Sequence, residues 1–121
     1  MKKNQLLVAI ACTAILVACG TAKNSGGAKV ESMPSQADVE RVKDKFPGYT
    51  LTDLNDGKKL FEANCALCHG LKKPASRTEE EWKTIVPRMV KKANSKNGNV
   101  LDAAGEEKIL RYVVTMGSAP K

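Results

Sequence analysis

Histidine and aromatic residues are scarce in this 121-residue chain: it has one histidine, one tryptophan, two tyrosines and two phenylalanines. So few rings leave a thin core for a domain of this size. No block of lysines is interleaved with aromatics, which argues against a nucleic-acid partner. From Gln36 onward no segment reads as a set of paired strands, and no internal repeat is visible. With four cysteines and one histidine, each must be assigned a role before a metal site or disulfide framework is considered.

Two of those cysteines belong to the N-terminal segment. Lys2 and Lys3 precede an apolar stretch from Leu6 to Ala18 that only Thr13 interrupts. The stretch is too short to span a bilayer comfortably, which takes about 20 apolar residues, and it reads as an export signal. Its end, Leu16-Val17-Ala18-Cys19, resembles the lipobox of bacterial lipoproteins. That resemblance implies removal of residues 1–18 and lipidation of Cys19, with the domain exported, anchored to a bacterial membrane and facing the periplasm. Cys12 acts as a small hydrophobe and leaves with the signal. Losing Lys2 and Lys3 lowers the formal charge from +7 to +5, which suits an acidic partner or simple solubility.

Residues 19–35 are polar and rich in glycine, without periodicity, and read as a flexible tether. Residues 36–53 form an N-terminal extension. In it Val39, Val42 and Phe46 lie on one face of a short helix ended by Pro47-Gly48, and Tyr49 and Leu51 suggest an extended segment. The main domain is expected over 54–121, all-α, with three to four helices. Asn55 or Asp56 caps the first, which carries Leu60 and Phe61. Thr78-Glu79-Glu80-Glu81 matches a capping box for the second, with Trp82, Ile85, Val86, Met89, Val90 and Ala93 at helical spacing. Pro87 predicts a kink or restart there. After a loop from Asn94 to Val100, Asp102 caps a last helix bearing Ile109, Leu110, Tyr112, Val113 and Met116, and Gly117 stops it.

The remaining cysteines form Cys65-Ala66-Leu67-Cys68-His69. Two thiols three positions apart add across the two vinyl groups of one haem, and the adjacent histidine ligates iron from the same side. A thioredoxin-like pair and half of a zinc site use similar spacings. The first wants a βαβ setting that this chain lacks, and zinc needs further ligands. Covalent haem c, one per chain, is therefore expected, with Cys65 and Cys68 as attachment points and His69 as the proximal ligand.

At these residues the chain resembles the class I c-type cytochromes, from about Leu54 to Tyr112. Asp56-Gly57-Lys58-Lys59-Leu60-Phe61 leading into Cys65-Ala66-Leu67-Cys68-His69-Gly70 matches that family's first helix and haem site. The resemblance implies a small cytochrome c-like domain wrapped around haem, with Gly57 and Phe61 meeting Ile109 and Tyr112. Haem supplies the missing core, so the apoprotein is expected to be largely unfolded. The sixth ligand departs from the family pattern of a methionine in a distant loop. Met89, twenty residues beyond His69, resembles the ligand of short cytochrome modules that accompany some bacterial dehydrogenases, and Met116 is the alternative. Each is also explained as core filler. Pro74 has a carbonyl that can orient His69, or is a plain turn proline. Arg77, Trp82 and Arg88 reach haem propionates, or are surface arginines and a core tryptophan.

The expected function is single-electron transfer between redox donors and acceptors at the membrane, not an enzyme activity. Two alternatives stand beside it: a haem-based sensor with an open sixth position, and a dedicated cytochrome subunit of a dehydrogenase or oxidase complex.

Overall fold

The computed structural model describes residues 33–120. The signal segment 1–18, Cys12, Cys19 and the tether up to residue 32 lie outside the described residues. What is described is all-α: α1 (Gln36–Arg41), α2 (Leu51–Cys65), a single 3-10 turn at Pro74–Ser76, α3 (Glu79–Asn97) and α4 (Ala103–Gly117). No described helix is long and apolar enough to cross a membrane.

Helix starts are set by side chains that satisfy free backbone amides. At α3 the expected capping box is present: Thr78 Oγ1 accepts from Glu81 N at 3.2 Å, and Glu81 accepts from Thr78 N at 2.8 Å. Asp102 caps α4 by accepting from Gly105 N at 2.8 Å. The start of α2 differs from expectation. Thr50 and Asp53 form its capping box, so the helix begins at Leu51, and Asn55 sits inside it with Nδ2 donating to the Leu51 carbonyl at 2.8 Å. Neither Asn55 nor Asp56 caps the helix, because both lie inside one that has already begun at Leu51. Leu51 is thus helical rather than extended.

The N-terminal segment is part of the core. Val39, Val42 and Tyr49 are buried in the same cluster as Leu54, Phe61, Ile109 and Val113, so the division at 53 and 54 cuts through one helix and one core. The α-helical part of this segment is also shorter than its apolar spacing suggested. It ends at Arg41 and continues as hydrogen-bonded turns to Gly48, which has φ +76°. Asp38 accepts from Ser35 and from Arg41 at 2.7 Å, and Arg41 also donates to the Thr115 carbonyl at 2.9 Å, tying α1 to α4. Arg111 of α4 lies 5.1 Å from the Phe46 ring centroid, covering the turn from the other side.

The central contact is α2 against α4. A Cβ on Gly57 would collide with the Lys108 carbonyl oxygen and come within 2.8 Å of Tyr112 Cβ, so the two backbones meet there. One turn on, the Phe61 and Tyr112 rings pack at 5.5 Å between centroids, and Trp82 of α3 joins Phe61 edge-on at 6.2 Å. Of these contacts, those of Gly57 and Phe61 with Tyr112 are the ones that the resemblance implied.

Two further features differ from the sequence reading. Helix α3 runs unbroken through Pro87 to Asn97; the proline is exposed, so the Lys83 carbonyl that loses its donor faces water. The loop after it is consequently shorter, opened by Gly98 at φ +78° and closed by Asn94, whose amide both donates to and accepts from the Leu101 backbone. Gly117 is the last helical residue of α4 and does not stop it through a left-handed conformation. Its lack of a side chain matters because a Cβ would sit 3.0 Å from the Pro74 oxygen.

Gly57→Ala is expected to lower stability by about 2 kcal/mol or more, at the upper part of the range for overpacked cores, because a backbone oxygen cannot move aside as a side chain can. Denaturant unfolding of the full chain checks this, and an unchanged midpoint contradicts the close crossing. Tyr49 supplies a pH dependence. Burial pushes its phenol up to about 12, offset in part by the nearby Thr115 hydroxyl, although neither group makes a hydrogen bond of ordinary geometry. The unfolded phenol ionises near 10, so this contribution is complete below pH 10 and lost as pH rises through 12. Unfolding curves between pH 8 and 12 are expected to fall less steeply for Tyr49→Phe.

Candidate functional site

Helix α2 ends at Cys65, and the chain then leaves it in a turn. This ending decides how the two thiols are presented. Cys65 is half-buried against the core, whereas Cys68 and His69 are exposed on the turn that follows. Both thiols are free.

Cys65, Cys68 and His69 share one cleft with Met89. The cleft has a volume of about 180 Å³ and is open to solvent on one side, so it is smaller than the roughly 300–1,000 Å³ of ordinary cofactor pockets and leaves part of any large group exposed. Phe61 and Cys65 of α2, Ile85, Met89 and Ala93 of α3, and Ile109 of α4 line it. The residues at 85, 89 and 93 repeat every four positions, which is why one face of α3 can supply a continuous apolar wall. Met116 is buried in the core and is not part of this lining.

The geometry of His69 bears on its chemistry. Its Nδ1 lies 2.8 Å from the Gly70 carbonyl oxygen, which can only accept. Nδ1 therefore carries the ring proton, and Nε2 holds a free lone pair suited to a metal. The expected partner, the Pro74 carbonyl, is used otherwise. It accepts from the Trp82 indole Nε1 at 2.8 Å in a buried bond, which also takes the Trp82 N–H out of contention as a donor to a ligand in the cleft.

The competing chemistries meet specific obstacles. Burial, reinforced by the neighbouring Cys68, pushes the Cys65 thiol up to about 11, opposite to the depressed thiols of disulfide oxidoreductases. Among the described residues there is also no strand to build a βαβ setting. A closed zinc site needs four converging ligands, and no group of even three His, Cys, Asp or Glu side chains comes together among them.

Four basic residues line the cleft: Lys72, Arg77, Arg88 and Lys92. Arg77 and Arg88 were legible as candidates from sequence. Lys72 and Lys92 were not singled out, although Lys92 lies four residues beyond Arg88 and three beyond Met89, a spacing that places it near both on a helix.

Trp82→Phe keeps the ring against Phe61 but leaves the Pro74 carbonyl without its donor. A loss of about 1–3 kcal/mol is expected, the range for an orphaned buried polar group. Denaturant unfolding of the full chain measures it, and a neutral result means that water replaces the indole.

Compared with protein-family models, with curated proteins and with solved structures, the chain matches none.

Proposed function

We propose that the protein is a monohaem c-type cytochrome, lipid-anchored through Cys19, that carries single electrons between redox partners at a bacterial membrane on its periplasmic side. The observation that carries this reading is that Cys65, Cys68, His69 and Met89 all line one largely apolar cleft, with His69 Nε2 left free.

The residues present suit covalently attached haem. Cys65 and Cys68 would hold the group by thioether bonds, His69 would ligate iron through Nε2, and Met89 would offer a thioether sulfur. When bound, haem supplies a reversible one-electron couple. The chain's own contribution is positional. The Gly70 carbonyl fixes the tautomer of His69, and Ile85, Ala93 and Ile109 give the cleft an apolar lining, a condition that tunes reduction potential. Cys68 and His69 are exposed, so a partner protein can approach that edge without any opening of the fold. With His69 and Met89 both bound to iron, no site would be left for substrate, which favours electron carriage over catalysis or ligand sensing.

Absorption and electron paramagnetic resonance spectra of haem-loaded protein test the reading. Met89→Ala is expected to abolish the methionine-to-iron absorption band, and Met116→Ala to retain it while losing about 2–5 kcal/mol of stability as a truncated core residue. The opposite outcome assigns the ligand to Met116. A wild-type ferrous form that is high-spin and binds carbon monoxide readily favours a sensor instead.

A further inference from the structure

Charge is distributed unevenly along α3 and the loop after it. The 20 residues from Trp82 to Leu101 hold five cations and no carboxylate. Lys83, at the start of this run, is paired with Glu79 and Glu80. Among the described residues, Arg88, Lys91, Lys92 and Lys96 make no ion pair, and all four are exposed. Their spacing places them on one face of the helix, while Trp82, Val86, Val90 and Ala93 bury the other in the core. Lys59, Lys72 and Lys73 also lack a carboxylate partner, but they come from α2 and the loop beyond it and form no such row.

Helix-end electrostatics account for only part of this face. Cations stabilise the last turn of a helix, where free carbonyls carry the negative end of the dipole, and of the four only Lys96 lies there. Solubility does not require them to stand together, since like charges at this spacing repel. Just past the helix, after Gly98 and the left-handed Asn99, Val100 is 54% exposed. A basic face that ends in an exposed apolar side chain matches an anionic lipid surface. The charges meet the headgroups, and the apolar side chain and lysine stems reach toward the acyl boundary.

The anchor proposed above brings such a surface within reach. From Cys19 to Met33, the first described residue, the chain takes 14 steps. Fully extended, these cover at most about 50 Å, against about 30 Å across a domain of this size. The connection is thus long enough for any face to meet the membrane, and charge decides which one does. Resting on the lipid anchor of that reading, we infer that Arg88, Lys91, Lys92 and Lys96, with Val100 at the end of the row, form a docking surface for anionic phospholipid headgroups. The anchor keeps the domain at the membrane, and this face sets which way up it lies. Arg88 and Lys92 also border the cleft, so docking through them holds the cleft close to the bilayer, where a membrane-embedded redox partner can meet it.

The test uses the full chain as isolated after export, reconstituted on vesicles of phosphatidylcholine alone or mixed with phosphatidylglycerol. Lysine reactivity toward an acylating reagent is read by mass spectrometry. On the anionic vesicles Lys91, Lys92 and Lys96 are expected to lose reactivity about fivefold or more, the effect of a single cation at such a surface. They regain it at about 1 M salt, where charges are screened within ~3 Å. Lys43, in the turn after α1, keeps its reactivity throughout, because α1 packs on α2 and α4 and not on α3. Lys91→Glu combined with Lys96→Glu, both exposed and outside the cleft lining, removes the protection of Lys92 while circular dichroism is unchanged. Equal reactivity on the two kinds of vesicle, or equal protection of Lys43, overturns the surface. So does protection by poly-glutamate in solution without protection on the anionic vesicles, since the face then serves an acidic protein. The mass of the N-terminal peptide separates the two levels: a chain without lipid at Cys19 overturns the anchor and the surface together, whereas a lipidated chain whose α3 lysines stay reactive overturns the surface alone.

Discussion

The close approach of α2 and α4 at Gly57 is the constraint on which the rest of the domain depends. With backbone touching backbone, the helices cannot slide apart to accommodate a side chain, and their separation is fixed at one point. Phe61 and Tyr112 then meet one turn further along, and the remaining space beyond Phe61 is what Trp82 of α3 fills. A core with so few rings concentrates them at a single junction. The position of Cys65 follows, because it lies one further turn along the face of α2 that Phe61 anchors.

A second fixed point holds the other end of the cysteine–histidine loop. The Pro74 ring is fully buried, its carbonyl receives the Trp82 indole, and the side-chain-free Gly117 lets α4 close over it. The loop from Ala66 to Lys73 is therefore exposed yet anchored at both ends, by α2 and by Pro74. Such an arrangement presents Cys68 and His69 to the cleft mouth without burying them, which fits a group held by covalent bonds rather than by enclosure alone.

Much of this was legible in the sequence where a local pattern carries its own mechanism. The Thr78–Glu81 capping box and the cysteine–histidine spacing each need only a few residues at fixed intervals, while the glycine-aromatic pairing of α2 with α4 came from the resemblance. Misreadings arose where one signal had two physical meanings. Pro87 signals a broken helix, but an exposed proline in a long amphipathic helix is tolerated because water serves the freed carbonyl. Gly117 signals a helix stop, but it serves close packing against a distant carbonyl. The apolar residues from Val39 to Leu51 read as an appendage because nothing local tells an extension from a part of the core.

By itself, the sequence determined the helical class, the haem-type spacing of Cys65, Cys68 and His69, and the chemistry that spacing admits, since these rest on local periodicity and residue type. Tertiary structure alone decided that Met89 and not Met116 lines the cleft, that the segment from Val39 to Tyr49 belongs to the core, and that Gly117 packs against the Pro74 carbonyl. Those facts depend on contacts between segments tens of residues apart, and no interval along the chain encodes them.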